Sequence, residues 1–222
     1  MNEAQARDEI CRVGASLFAR GYVHATAGNI SVRLEDGDFL ITPTDACLGF
    51  LEPARLAKVT ADGQQVSGDI ASKTLTLHRR IYAAARQHDA NTACVIHTHS
   101  THCVSLTLRG ETPAELLPPI TPYFVMKVGH VPVIPYRRPG DPEAALLVEA
   151  TIQRYVTQGM PVRAVMLARL GPNVWHESPA SAMAVLEELE ETARLVCLNP
   201  SPASHLSPLQ LQELRDTFGA RW

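Results

Sequence analysis

The chain has 222 residues, a formal net charge of −3 at pH 7 and only 5% aromatic residues, and this length is compatible with one α/β domain over residues 1–222. It contains no basic stripe for a nucleic acid, no apolar run near the ~20 residues that span a bilayer, and an N-terminus too polar for a signal peptide. We therefore expect a cytoplasmic protein without nucleic-acid or membrane partners.

Apolar spacing, turn residues and capping residues predict the secondary structure of the first half of the chain. In chain order, the predicted elements are a helix over 3–20, a hairpin of strands 30–34 and 39–42, two short strands around a turn at 61–63, a helix from Ser72 to about Arg86, a strand that runs through 93–96 into His97, and a helix from Thr101. The hairpin and the tight turns favour antiparallel pairing in this half.

Prolines are concentrated between residues 113 and 142, where they exclude a long regular element and predict a fixed, loop-like wall. The elements predicted after this segment are a helix from Pro142, a strand over 164–167, a short segment over 173–175, a long helix over 179–198, and a last helix that Ser207 caps and that ends near Phe218. Together, the elements predict a three-layer αβα sandwich around a largely antiparallel or mixed sheet.

His97 and His99 lie at the end of the apolar strand, where strand periodicity places both imidazoles on one face. Neutral imidazole is a preferred ligand of Zn²⁺ and related ions, and a catalytic site usually adds a third protein ligand and leaves one position open. The spacing alone leaves two interpretations open. The pair either binds a metal or finds ordinary hydrogen-bond partners at a strand end.

Five short motifs follow one another in a fixed order. They are Ala27–Ser31, Ile41–Thr44, Ser67–Asp69, Ser72–Lys73 and His97–Thr101. In this order they resemble the class II aldolase/adducin family over about residues 5–217, and segments such as Thr121–Tyr123 and Arg138–Asp141 resemble its 3-oxo-tetronate 4-phosphate decarboxylase branch. The resemblance implies an αβα fold, a cyclic homotetramer and a divalent metal near a subunit interface, with zinc expected and manganese or magnesium as alternatives.

The resemblance also implies roles for individual residues. His97 and His99 would hold the metal, which stabilises the enediolate that forms when a carbon–carbon bond breaks. The residues expected to shape the substrate pocket are Gly28, Asn29, Thr44, Asp45, Ser72 and Lys73. Two further roles come from the residues themselves, and each has an ordinary alternative. Lys73 either grips a substrate carboxylate or phosphate at a helix N-terminus or is an exposed helix lysine, and Tyr123 either donates a proton to the carbanion or packs with its hydroxyl hydrogen-bonded. Arg137 and Arg138 are expected to face solvent or a subunit contact.

Three positions depart from the family pattern. Thr74 stands where members carry a glutamate that moves a proton, Leu170 where they carry a third metal histidine, and Asp45 where they carry a glycine in the phosphate loop. A carboxylate ~4 Å from a phosphate charge costs roughly 4 kcal/mol at an effective dielectric constant of ~20. This repulsion disfavours a phosphorylated substrate unless Lys73 or another cation intervenes.

Three histidines are candidates for the missing ligand, and each has an ordinary alternative. His176 follows the Gly171–Pro172 turn, but a surface or hydrogen-bonded role is also open. His102 comes three residues after His99, where capping or packing would explain it equally well. His24 lies in the loop before Gly28 and would by default be solvated.

Two explanations of the departures remain open, a scaffold that has lost its chemistry and an enzyme whose ligands and substrate have changed. Loss of CO₂ from a β-keto acid needs an electron sink and a late proton donor but no strong base at the start. The residues therefore favour a metal-dependent lyase that decarboxylates a sugar-acid-derived keto acid, phosphorylated or not. The alternatives are a class II aldolase acting on a small hydroxy-carbonyl substrate and a non-catalytic, adducin-like oligomeric binding module.

Overall fold

The computed structural model describes residues 1–199, 201 and 203–222, and an eight-stranded sheet lies at its centre. The strands are β1 (Asn29–Arg33), β2 (Phe39–Ile41), β3 (Ala57–Val59), β4 (Gln65–Ser67), β5 (Cys94–His97), β6 (Val133–Ile134), β7 (Ala164–Leu167) and β8 (Gly171–His176). Their order across the sheet is β4-β3-β2-β1-β5-β8-β7-β6. All neighbours are antiparallel except the parallel pair β6 and β7, so the predicted mixed and largely antiparallel sheet is confirmed.

Helices cover both faces of this sheet. They are α1 (Glu3–Ala19), α2 (Leu75–Ala85), α3 (Thr101–Leu106), α4 (Pro142–Thr157), α5 (Pro179–Leu198) and α6 (Pro208–Phe218). Successive side chains of a strand point to opposite faces, so Ile96 joins Ile10 of α1 in one apolar layer, whereas Val95 joins Ile81 of α2 and Ile152 of α4 in the other. The predicted three-layer sandwich is confirmed. Among the described residues, no helix is both long and apolar enough to cross a membrane.

The helix ends test the capping predictions. Ser207 caps α6 as predicted, because its side chain accepts the backbone N–H of Gln210 while the Gln210 side chain accepts the N–H of Ser207. The cap predicted for α2 is wrong. Thr74 occupies the N-cap position, and its own side chain makes no capping bond. Ser72 lies before the helix, where its hydroxyl accepts the backbone N–H of Thr74 at 3.4 Å.

Candidate active site

A cavity of about 730 Å³ lies where the carboxyl end of β5 meets the start of β1 and the N-termini of α2 and α4. Eight residues that the sequence predicted for the site line it together. They are Gly28, Asn29, Thr44, Asp45, Ser72, Lys73, His97 and His99. Thr74 and Leu170 line the same cavity, so all three departures from the family pattern fall inside the candidate site.

Tyr123 is the predicted site residue that the fold does not bring to this cavity. Its side chain is 63% exposed, and it precedes a short π-helical turn over Phe124–Val128. Within one copy of the chain, Tyr123 is not among the residues that line the cavity. Its role as proton donor stays a prediction.

His97 is the last residue of β5 and is 7% exposed. Its Nδ1 lies 3.0 Å from the carbonyl oxygen of Pro172. A carbonyl oxygen can only accept, so Nδ1 carries the hydrogen and the neutral ring keeps Nε2 as its free acceptor. Burial and then the neighbouring His99 lower the pKa of His97 to about 4, which keeps the ring neutral at pH 7. A backbone carbonyl that fixes the imidazole tautomer is the usual support of a metal-binding histidine.

The His99 ring meets that of His97 at a centroid distance of 5.1 Å and an interplanar angle of 67°. β5 ends at His97, so His99 lies two residues beyond the strand, in the segment before α3. Burial and then the nearby His24 lower the pKa of His99. Two imidazoles bound to one tetrahedral zinc ion have their ring centres about 5 Å apart, so the pair fits two positions of such an ion.

The cavity supplies fewer donors for the other ligand positions of a metal ion. Among the described residues, no three His, Cys, Asp or Glu side chains are arranged as a ready set of metal ligands. Leu170 brings only an aliphatic side chain to the cavity wall. The donors in the cavity therefore fit part of a divalent metal site and leave its remaining positions to substrate oxygens or to a side chain that moves.

Two of the three candidate replacements for the missing ligand lie elsewhere. His102 donates from Nδ1–H to Glu190 Oε1 at 2.8 Å, and the same carboxylate accepts the backbone N–H groups of His102 and Cys103. His102 therefore binds α5 rather than the cavity. His176 pairs with Cys94 at the far end of β5, lines a different cavity, and accepts the backbone N–H of the next residue at Nδ1. Both candidates are wrong as ligands beside His97.

Two cationic side chains line the cavity, and only Lys73 was expected there from the sequence. Lys73 and Arg138 both reach it, and within the described part of the chain neither lies in a salt bridge. Arg137, by contrast, is paired with Glu143 at 3.1 Å. Arg138 was expected to face solvent or a subunit contact. It is exposed, as expected, and the turn that leads into α4 also places it at the cavity wall.

The cavity wall also presents features that suit an oxygen-rich ligand. Asn29 is 8% exposed and its Nδ2 donates to Thr74 Oγ1 at 3.4 Å, while its Oδ1 finds no hydrogen-bond partner in the part of the chain that the structure describes. Asp45 has φ +57°, in the left-handed region that a glycine adopts without strain. A Cβ on Gly28 would lie 2.9 Å from the carbonyl oxygen of His97, so only glycine lets this loop approach the end of β5 so closely.

The chain is similar in sequence to known proteins. The sequence model of the class II aldolase and adducin N-terminal domain family matches residues 8–197. The chain is 54% identical to the 3-oxo-tetronate 4-phosphate decarboxylase of Cupriavidus necator, with 99% of each chain aligned. It is 40% identical to the protein of the same name from Escherichia coli K12, with 96% of each aligned.

Solved structures agree with this fold. The crystal structure of YgbL from Klebsiella pneumoniae, described as a putative aldolase/epimerase/decarboxylase, superposes with a TM-score of 0.85 at 42% identity and covers 97% of this chain and 100% of that one. An L-fuculose 1-phosphate aldolase shares the fold at a TM-score of 0.80 and 22% identity, over 99% and 98% of the two chains. The chain therefore belongs to the class II aldolase and adducin N-terminal domain family.

Proposed function

We propose that this protein is a divalent-metal-dependent lyase that removes CO₂ from a 3-oxo acid derived from a four-carbon sugar acid with a phosphate at its far end. The observation that carries the proposal is the cavity that joins the His97 and His99 pair to two unpaired cations, Lys73 and Arg138. The full-length similarity to enzymes named 3-oxo-tetronate 4-phosphate decarboxylase supports this substrate class.

His97 and His99 would hold the metal, and zinc suits their imidazole donors. When bound, the ion would act as a Lewis acid for the negative charge that develops on the 3-oxo oxygen. Asn29 Oδ1, which lacks a partner, would accept a hydrogen bond from a substrate hydroxyl. Lys73, Arg138 and the uncapped N-terminus of α2 would bind the substrate's anionic groups.

Thr74 is compatible with decarboxylation. The bond between the carboxylate carbon and its neighbour breaks, CO₂ leaves, and the electron pair stays on the neighbouring carbon as an enediolate that later takes up one proton. No base is needed to start this sequence. An aldolase must also move a proton from a hydroxyl group, and Thr74 cannot act as the carboxylate base for that step.

The source of the final proton determines the assembly that we propose. Tyr123 is exposed and outside the cavity of its own chain, so it would protonate the carbanion only across an interface between two copies. We therefore propose a homotetramer whose sites lie near subunit interfaces, as the family resemblance implies. A cytoplasmic location, where charged sugar-acid phosphates are retained, belongs to the same proposal.

The direct test is incubation of the zinc-loaded protein with 3-oxo-tetronate 4-phosphate and measurement of CO₂ and of the three-carbon hydroxyketone phosphate. We expect the two products in equal amounts, and at least a 100-fold slower reaction with His97→Ala. Equal turnover by wild type and His97→Ala, or no turnover by metal-loaded wild type, would contradict the proposal. Retro-aldol cleavage of a sugar phosphate without CO₂ release would support the aldolase alternative instead.

A further inference from the structure

A third imidazole lies beside the His97 and His99 pair. The ring of His24, in the loop between α1 and β1, has its centroid 6.3 Å from that of His99. His99 is the ring that neighbours both of the others, because its centroid also lies 5.1 Å from that of His97. The His24 side chain is exposed, so packing does not hold it in its present orientation.

The backbone of the loop that carries His24 is fixed relative to β5. Asn29, at the end of this loop, lies opposite His97 in the pairing of β1 with β5. Gly28 lies so close to His97 that a Cβ at this position would approach the His97 carbonyl oxygen to 2.9 Å. The carbonyl of His24 accepts the N–H of Ala27 at 2.9 Å, which closes a turn. The loop is thus anchored next to His97, while the His24 side chain is free to rotate.

We infer that His24 is the third protein ligand of the metal and rotates toward the other two imidazoles when the ion binds. This inference rests on the metal site of the proposed function. On a tetrahedral ion all three ring centres lie ~5 Å apart, so His24 must move about 1 Å closer to His99 and must also come to that distance from His97. Rotation about the side-chain torsions of an exposed residue can supply this movement without a change in the fold.

The proposed site has a defined chemical character. Three neutral imidazoles leave the full charge of the ion uncompensated, and one tetrahedral position stays open for a substrate oxygen. A carboxylate ligand would neutralise part of that charge. The His24 site therefore favours a strongly anionic ligand such as a keto-acid phosphate, and it accounts for a working metal site beside Leu170.

Metal titration of the purified, metal-free protein tests the inference without any substrate. Zinc affinity is measured by competition with a chelator, and cobalt is used as a coloured substitute for zinc. We expect one ion per chain in wild type, affinity about 100-fold weaker in His24→Ala, and wild-type affinity in the matched control His205→Ala, whose histidine is also exposed. Wild-type zinc affinity together with an unchanged cobalt spectrum in His24→Ala would overturn the inference.

A second variant reports on coordination itself. His24→Cys places a thiolate at the proposed ligand position, so its cobalt form should gain a sulfur-to-metal charge-transfer band that the wild type lacks. Absence of this band in cobalt-loaded His24→Cys would overturn the inference. If wild type and His24→Ala bind zinc as expected but no CO₂ is released, the decarboxylase proposal fails and the His24 ligand stands. If the protein decarboxylates its substrate and His24→Ala binds zinc normally, only the His24 ligand fails.

Discussion

His97 donates a hydrogen bond from Nδ1–H to the Pro172 carbonyl at 3.0 Å, so the turn into β8 determines which ring nitrogen is free for a ligand. The acceptor is a backbone carbonyl, so the bond requires no particular side chain at its acceptor position. It leaves Nε2 of His97 free, as the proposed metal-binding role requires.

The first prediction concerns metal content. His97→Ala and His99→Ala should each reduce bound zinc from about one ion per chain to less than a tenth, because each removes one of two converging donors. Elemental analysis of protein purified without chelator checks this. His176→Ala is the matched control, since His176 lies on β8 opposite Cys94, at the end of β5 away from His97. Full zinc occupancy in both site variants would contradict the assignment.

The second prediction concerns the carboxylate of Asp45. Asp45→Gly and Asp45→Asn should both lower the KM for the phosphorylated substrate several-fold, because each removes a negative charge from the cavity. Both residues tolerate the left-handed backbone found here at φ +57°. An unchanged KM in both variants would show that the carboxylate does not repel the phosphate. A lower KM in Asp45→Gly alone would point to backbone shape rather than charge.

The third prediction separates two adjacent arginines. Arg138→Ala should reduce kcat/KM for the phosphorylated substrate about 10- to 100-fold, the usual effect of losing a hydrogen bond to a charged group. Arg137→Ala should have little effect, because Arg137 is paired with Glu143 outside the cavity lining. The comparison is repeated with the unphosphorylated 3-oxo acid. Equal losses with both substrates would contradict a phosphate-binding role for Arg138.

The fourth prediction tests Tyr123 across the interface. Tyr123→Phe should lower kcat about 100-fold or more, the scale of a lost general acid. Mixed oligomers that contain Tyr123→Phe and His97→Ala subunits should recover activity, since one subunit then supplies the tyrosine and the other an intact cavity. Mixed oligomers as inactive as their parents would contradict the proposed contribution from a second copy.

The fifth prediction is a pH dependence of stability. His78 is fully buried, and burial followed by the proximity of His97 lowers its pKa to about 3, whereas an unfolded histidine titrates near 6.5. Between these values the unfolded chain binds a proton that the folded chain does not, so stability should fall as the pH decreases from about 6.5 to 3. One such group contributes a slope of about 1.4 kcal/mol per pH unit.

Urea unfolding of the metal-free protein at several pH values measures this slope. His78→Gln stays neutral, so its stability should decline less steeply by about one proton. His205→Gln, at an exposed position, should follow wild type. A slope in His78→Gln equal to that of wild type would show that His78 is not the group responsible.

Local sequence patterns identified most of this site because its residues come from short contiguous segments. Gly28 and Asn29 lie at the start of β1, Ser72 and Lys73 lie just before α2, and His97 is the last residue of β5. The sheet places these ends side by side. The sequence pattern predicted the helices, the strands and antiparallel pairing, and the family resemblance implied the αβα fold. Neither predicted the strand order that brings these ends together.

The residues whose roles the sequence left open depend on long-range contacts. His102 is held by Glu190, which lies 88 positions later in the chain. Arg138 and Arg137 are neighbours with the same chemistry, and only the pairing of Arg137 with Glu143 and the turn into α4 distinguish their positions. A local pattern contains none of these contacts.

The central claim is that His97 and His99 bind one divalent cation inside the anion-binding cavity. An anomalous-scattering map from crystals grown with zinc tests it most directly. We predict a single strong peak per chain in contact with Nε2 of His97 and a ring nitrogen of His99. A map without that peak, in which both rings are bonded only to water, would contradict the account.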